Sequence, residues 1–216
     1  MNHRIACIYP MDETTGFLLP IFERLQKESN FIDYRFDTND INSVDKMKDD
    51  LLNLEQPSFI VFLGHGASYC LYGTPKGDKK KILFSIDDLK LFQNHSCFFL
   101  SCRSSEFLRT KAQSYIGFGD IPTDYLEIIS ERDLGDIHYM SGINEAEIEL
   151  YKSYIVDIIL HTIDCCGRES LLTFYNKLKL YTNKQIADLL VNKEVPNYRL
   201  LADLLYSWKS EIEYRR

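Results

Sequence analysis

No stretch of the sequence approaches the roughly 18 to 20 apolar residues of a membrane-spanning helix. The opening "MNHRIACIYP" also lacks the long apolar region of a secretory signal. Together these absences lead us to expect a cytoplasmic protein with no membrane partner. No Cys-x-x-Cys pair and no Cys/His spacing of the zinc type occurs, so neither a metal nor another cofactor is expected. Neither G-x-G-x-x-G nor G-x-x-x-x-G-K-[ST] follows an apolar run, which ranks a nucleotide- or phosphate-binding domain last among the readings. Basic residues are outnumbered, 25 Lys and Arg against 32 Asp and Glu. The net charge is −7, whereas phosphate contacts need a basic surface, so no direct nucleic-acid binding is expected. The local run Lys79-Lys80-Lys81 reads as a solvated hairpin tip. There is no internal repeat, no low-complexity tract and no linker.

What is present is a chain of 216 residues, 45% of them hydrophobic. That is enough for one large domain, or for a domain with an appendage, around a sizeable core. Six cysteines occur, at 7, 70, 97, 102, 165 and 166. Most fall inside apolar strand or helix patterns, as reduced, buried thiols do. "RIACIYP" (Arg4–Pro10) reads as a buried strand, and "FIDYRFD" (Phe31–Asp37) alternates as a second. "SFIVFLG" and "SCFFLSC" are apolar throughout, which marks strands buried on both faces. "SYIGFGD" is a fifth. Between them, "TTGFLLPIFERLQKES" reads as a helix with Pro20 in its first turn. "NSVDKMKDDLLNLEQ" reads as a helix capped by Asn42 or Ser43, "SIDDLKLFQN" as a short helix capped by Ser85, and "SSEFLRTKA" as one capped by Ser104 or Ser105. "YCLYGTPKGDKKKILFS" has the turn residues of a hairpin or long loop.

Strands alternating with helices predict an α/β fold with a mostly parallel central sheet covered on both sides. From Asn144 the chain reads as helical to its end. We therefore expect a core over residues 1–143 and a helical C-terminal extension over 144–216, packed on the core.

Two of the double-sided strands end alike. "FIVFLGHG" places His65 just past one strand, and "CFFLSC" places Cys102 just past the next. Sites in open parallel sheets form beyond the carboxyl ends of strands, so neighbouring strands would bring these two residues to one crevice. A histidine promotes loss of the thiol proton, and the thiolate is the nucleophile. The start of the following helix would favour that thiolate further. Acyl transfer also needs donors for a developing oxyanion, and the backbone N–H groups of Gly66 and Cys102 are placed for it. His65 could then protonate the leaving amine. Other pairings are weaker. His95 and Cys97 precede a strand, Cys165-Cys166 lies late in a helix, Cys70 reads as packing, and His3, His138 and His161 have no companion motif.

A strand ending in His-Gly, a hairpin with a Leu-x-Gly, a short helix and a strand ending in Ser-Cys resemble the caspase-like cysteine peptidases (clan CD). The segment "FLGHGASYCLYG…ILFSIDDLKLF…SCFFLSCRSS" is most similar to the CHAT and gingipain-like bacterial branch, and the likeness covers about residues 4 to 140. The resemblance implies a caspase-like three-layer sandwich and a Cys-His dyad. In that dyad His65 is base and acid, Cys102 is the nucleophile, and Gly66 and Cys102 supply the oxyanion hole. It further implies a cysteine endopeptidase acting on a protein substrate. Such an enzyme would be a regulated bacterial protease of antiviral defence or cell death, controlled by a partner protein in trans. The caspase signature Gln-Ala-Cys-x-Gly is replaced here by Leu-Ser-Cys-Arg-Ser, and 37 residues separate His65 from Cys102 rather than the roughly 50 of caspases. A demand for Asp in the substrate is therefore not implied. Asp120 and Asp124 are candidate substrate-binding residues that could prefer Lys or Arg; the competing reading of each is a turn or cap residue. The alternative function is a catalytically inactive scaffold of the same fold that binds a protein.

Overall fold

The apolar runs Ile5–Pro10 (β1), Phe59–Leu63 (β3) and Ser96–Leu100 (β7) lie side by side as parallel strands in the computed structural model. The described residues are 4–10, 12–36, 40–74, 81–135, 140–166 and 170–216. His3, Lys79, Lys80 and His138 fall outside them. β2 (Phe31–Phe36) pairs with the outer side of β1, and β8 (Ser114–Gly117) with the outer side of β7, both in parallel. A last strand, β9 (Glu213–Arg215), runs antiparallel to β8 and completes the order β2-β1-β3-β7-β8-β9. The protein is thus α/β with a mostly parallel six-stranded central sheet.

Side-chain alternation explains why the central strands are apolar on both sides. Ala6, Ile8, Ile60, Phe62, Cys97 and Phe99 are buried on the face covered by α2 (Ile41–Leu52), through its Val44, Met47 and Leu51. Phe107 and Leu108 of α3 (Ser104–Arg109) join the same cluster. Tyr9, of opposite parity, meets Phe22 of α1 (Leu19–Gln26) on the other face, with ring centroids 5.6 Å apart. Helices therefore flank the sheet on both sides, an arrangement compatible with three layers.

Strand order sets where a site can form. From β1 the chain winds outward to β2, then crosses back to β3 on the opposite side of β1. The direction of winding reverses between β1 and β3, and a crevice opens at their carboxyl ends. After β3, a small antiparallel sheet of β4 (Gly66–Ala67), β5 (Cys70–Tyr72) and β6 (Ile82–Ser85) stands at that same end. Ser85 and Asp88 form a capping box on the 3₁₀ turn Ile86–Leu91, as "SIDD" predicts. The cap of α2 is Asp40, whose side chain accepts from the Asn42 N–H, rather than Asn42 or Ser43.

The chain divides into residues 1–120 with 212–216, and residues 121–211. The expected boundary at 143/144 is corrected on two counts. The break comes directly after Asp120, and the chain does not stay helical to its end. "EYR" pairs with the edge of β8, where Glu213 takes the Arg109 guanidinium and the Tyr115 hydroxyl. In the second unit, α6 (Leu171–Asn192) packs against both α5 (Glu145–Cys166) and α7 (Tyr198–Ser210). The buried Glu147 joins the starts of α5 and α7. Its carboxylate accepts from the Asn144 N–H at 2.7 Å and from Asn197 Nδ2 at 2.7 Å. No helix among the described residues is long and apolar enough to cross a membrane.

His95, expected to lie at the opposite end of the sheet from the site, is buried ahead of β7. Its Nδ1 accepts from the Ser58 N–H at 3.1 Å, a role that requires an unprotonated nitrogen. Burial holds its pKa below the ordinary 6.5. The unfolded chain then binds this proton more readily than the folded one, so stability rises with pH. The contribution is complete above about pH 6.5 and is lost as pH falls below it towards the folded-state value. Urea unfolding between about pH 7 and pH 5 should therefore show a falling midpoint, and His95→Gln should show a shallower fall.

Candidate active site

The two strands that carry the site are paired residue for residue, from Phe59 against Ser96 to Leu63 against Leu100. His65 and Cys102 each lie two residues beyond the last pair. The Gly64 N–H still donates to the Leu100 carbonyl at 3.3 Å. Parallel neighbours lie about 5 Å apart, so the two chains leave the sheet side by side, with residues 65 and 102 at the same level beyond it.

Gly66 closes the third side. A Cβ placed on it would lie 2.7 Å from the Cys102 carbonyl oxygen and 2.7 Å from Ser101 Oγ. The hairpin backbone thus rests directly on the nucleophile turn, an approach open only to glycine. Register orients its amide. Ala67 pairs with Cys70 and Gly66 with Leu71, while the Tyr72 N–H donates to the His65 carbonyl. Hydrogen-bonded pairs alternate along an antiparallel ladder, so the Gly66 N–H is turned away from β5.

Cys102 sits in a tightly tied turn. Arg103 adopts a left-handed conformation, φ 52°, and its N–H donates to the Gly119 carbonyl at 2.8 Å. Ser104 is fully buried and clamps two strands together. Its hydroxyl donates to the Phe99 carbonyl at 2.6 Å and accepts from the Phe118 N–H at 2.9 Å. So the cap of α3 is Arg103, and Ser104 is a strand clamp. The N–H groups of Ser104 and Ser105 donate to the carbonyls of Ser101 and Phe118. The start of α3 consequently offers no spare donors from residues 103–105 to a Cys102 thiolate, contrary to what the sequence suggests. Among the first unit's four cysteines, Cys7, Cys70 and Cys97 are buried and Cys102 is half-buried. Burial pushes the Cys97 thiol well above its ordinary pKa, and it does the same to Cys7.

The loop after β1 adds two residues that sequence reading passes over. His65 Nε2 lies 2.6 Å from Thr14 Oγ1 and 3.5 Å from Asp12 Oδ2. Asp12 Oδ1 accepts from both the N–H (2.8 Å) and the hydroxyl (2.7 Å) of Thr14. The loop is held by the Tyr9 hydroxyl, which donates to the Thr15 carbonyl at 3.1 Å. In sequence, Thr14 reads as the start of the helix "TTGFLLPIFERLQKES", and Asp12 carries no signal of its own. The usable signal was its position, just past an apolar strand that neighbours β3.

The remaining candidates are placed as follows. Asp120 forms a two-pronged, exposed ion pair with Arg103, Nε to Oδ1 at 2.8 Å and Nη2 to Oδ2 at 3.3 Å. Asp124 belongs to the second unit and caps α4 (Tyr125–Asp133), accepting from the Leu126 N–H at 2.8 Å. Among the described residues, no group of three His, Cys, Asp or Glu side chains could hold a metal ion. No protein-family model matches the chain, and neither does any curated protein.

Two substitutions test this packing. Gly66→Ala should lower stability by about 1 to 3 kcal/mol in urea unfolding, because the Cys102 carbonyl has to move. Ser104→Ala should cost about 1 to 3 kcal/mol by leaving the buried Phe118 N–H unpaired. Wild-type stability in either variant would contradict the contact it removes.

Proposed function

We propose that the chain is a cysteine endopeptidase of the caspase-like type that cleaves a protein substrate with Cys102 and His65. The observation that carries this reading is the register of β3 with β7, which brings an imidazole and a half-buried thiol equally far past two neighbouring strand ends. The left-handed Arg103 adds support. A non-glycine residue held there costs about 1 to 2 kcal/mol, and such strain gathers at functional turns.

The chemistry follows from these groups. The imidazole takes the Cys102 proton, and the thiolate attacks the scissile carbonyl carbon. The oxyanion forms beside the N–H groups of Gly66 and Cys102. As the C–N bond breaks, the imidazolium passes its proton to the leaving amine, and a thioester remains. A water deprotonated by His65 then releases the acid and restores the thiol. In this reading a substrate Lys or Arg exchanges with Arg103 for the Asp120 carboxylate, and a partner acting in trans controls the enzyme, as in bacterial defence proteases.

The test is covalent. The full chain is treated with a peptidyl electrophile, with and without cell lysate as a source of activators, and the adduct is located by mass spectrometry. Label on Cys102 that is lost in His65→Ala is expected. A Cys102 that stays unlabelled under both conditions leaves only the inactive protein-binding scaffold.

A further inference from the structure

We propose that Thr14 is a positioning residue that holds His65 in one tautomer, with the proton on Nε2 and the basic lone pair on Nδ1. The available hydrogens decide the tautomer. The Thr14 hydroxyl has a single proton, and an ionised carboxylate has none to give. At 2.7 Å from Asp12 Oδ1, that proton lies between Thr14 and Asp12. The same Oδ1 takes the Thr14 N–H, which fixes the rotation of the carboxylate. Thr14 Oγ1 therefore meets His65 Nε2, 2.6 Å away, with a lone pair. The hydrogen in that contact must come from the ring. With Nε2 protonated, the neutral imidazole carries its lone pair on Nδ1.

The arrangement separates two tasks. Asp12 Oδ2 is 3.5 Å from Nε2, too far for a good hydrogen bond, and has no hydrogen-bond partner among the described residues. Thr14 provides the directional bond. Asp12 orients the Thr14 hydroxyl through Oδ1 and leaves Oδ2 facing the ring. The carboxylate thus acts on the histidine through a hydroxyl instead of touching it. All three residues sit past the carboxyl ends of β1 and β3, where the winding reverses.

The assignment of Nδ1 as catalytic base rests on the peptidase reading; the tautomer does not. In the full chain with ¹⁵N-labelled histidine, NMR should find neutral His65 protonated at Nε2, with a ring proton that exchanges slowly with water. His65→Gln identifies the signals. Thr14→Ser should keep that pattern. Thr14→Val should speed exchange of the Nε2 proton and mix the tautomers, and should slow electrophile labelling of Cys102 roughly tenfold, the worth of one well-placed hydrogen bond. Neutral wild-type His65 protonated at Nδ1 overturns the proposal, and so does a Thr14→Val spectrum like the wild type. If Thr14→Val fails to fold, the wild-type and Thr14→Ser spectra still decide. The Nε2–H pattern without any labelling of Cys102 would sink the peptidase reading and uphold the tautomer lock.

Discussion

Everything at the candidate site hangs on the backbone ladder between β3 and β7. It is a row of main-chain hydrogen bonds between strands that are apolar but for Ser96 at the start of β7. Register comes from burial. Phe62 and Phe99 meet across the pair with tilted rings and centroids 5.8 Å apart, and a slip of one residue would turn every apolar side chain to the opposite face. Because both faces are covered, such a slip would also collide with the helices packed there. The alignment of His65 with Cys102 is thus a by-product of core packing, and nothing at the site has to supply it.

Around that ladder, close backbone contacts take over from side-chain chemistry. Gly66 lies against the Cys102 carbonyl. Gly117 lets α3 lie against β8, since a Cβ there would come within 2.6 Å of the Ser105 backbone. Ser104 joins the end of β7 to the residue following β8 through one hydroxyl. Each device removes freedom from the turn that carries Cys102. Meanwhile the first donors of its helix, the N–H groups of residues 103–105, are already committed to backbone carbonyls.

Much of this was legible in the linear sequence. Apolar runs with no alternation marked buried parallel strands, and "GHG" and "LSC" marked the ends of two that are neighbours. The short helix capped by Ser85 was also read correctly as to its start, and the fold makes it a 3₁₀ turn. Other features were misread for definable reasons. "EYRR" continues a helical pattern, and only an unfilled edge on β8 converts it to a strand. Ser104 has the look of a helix cap, yet in the fold its hydroxyl serves two strands. Asp120 and Asp124 could be named as candidate substrate-binding residues, but their partners, Arg103 and the Leu126 N–H, are assigned by the fold.

Asp12 and Thr14 draw the line most clearly. The sequence by itself determined the class of sheet, the two strand ends and the chemistry of the residues placed on them, because hydrophobic burial is written into local periodicity. It could not determine that "DETTG", fifty residues before the histidine, would supply that histidine's hydrogen-bond partner. That pairing depends on β3 crossing back to lie beside β1, and strand order is a non-local outcome of packing that no local pattern records.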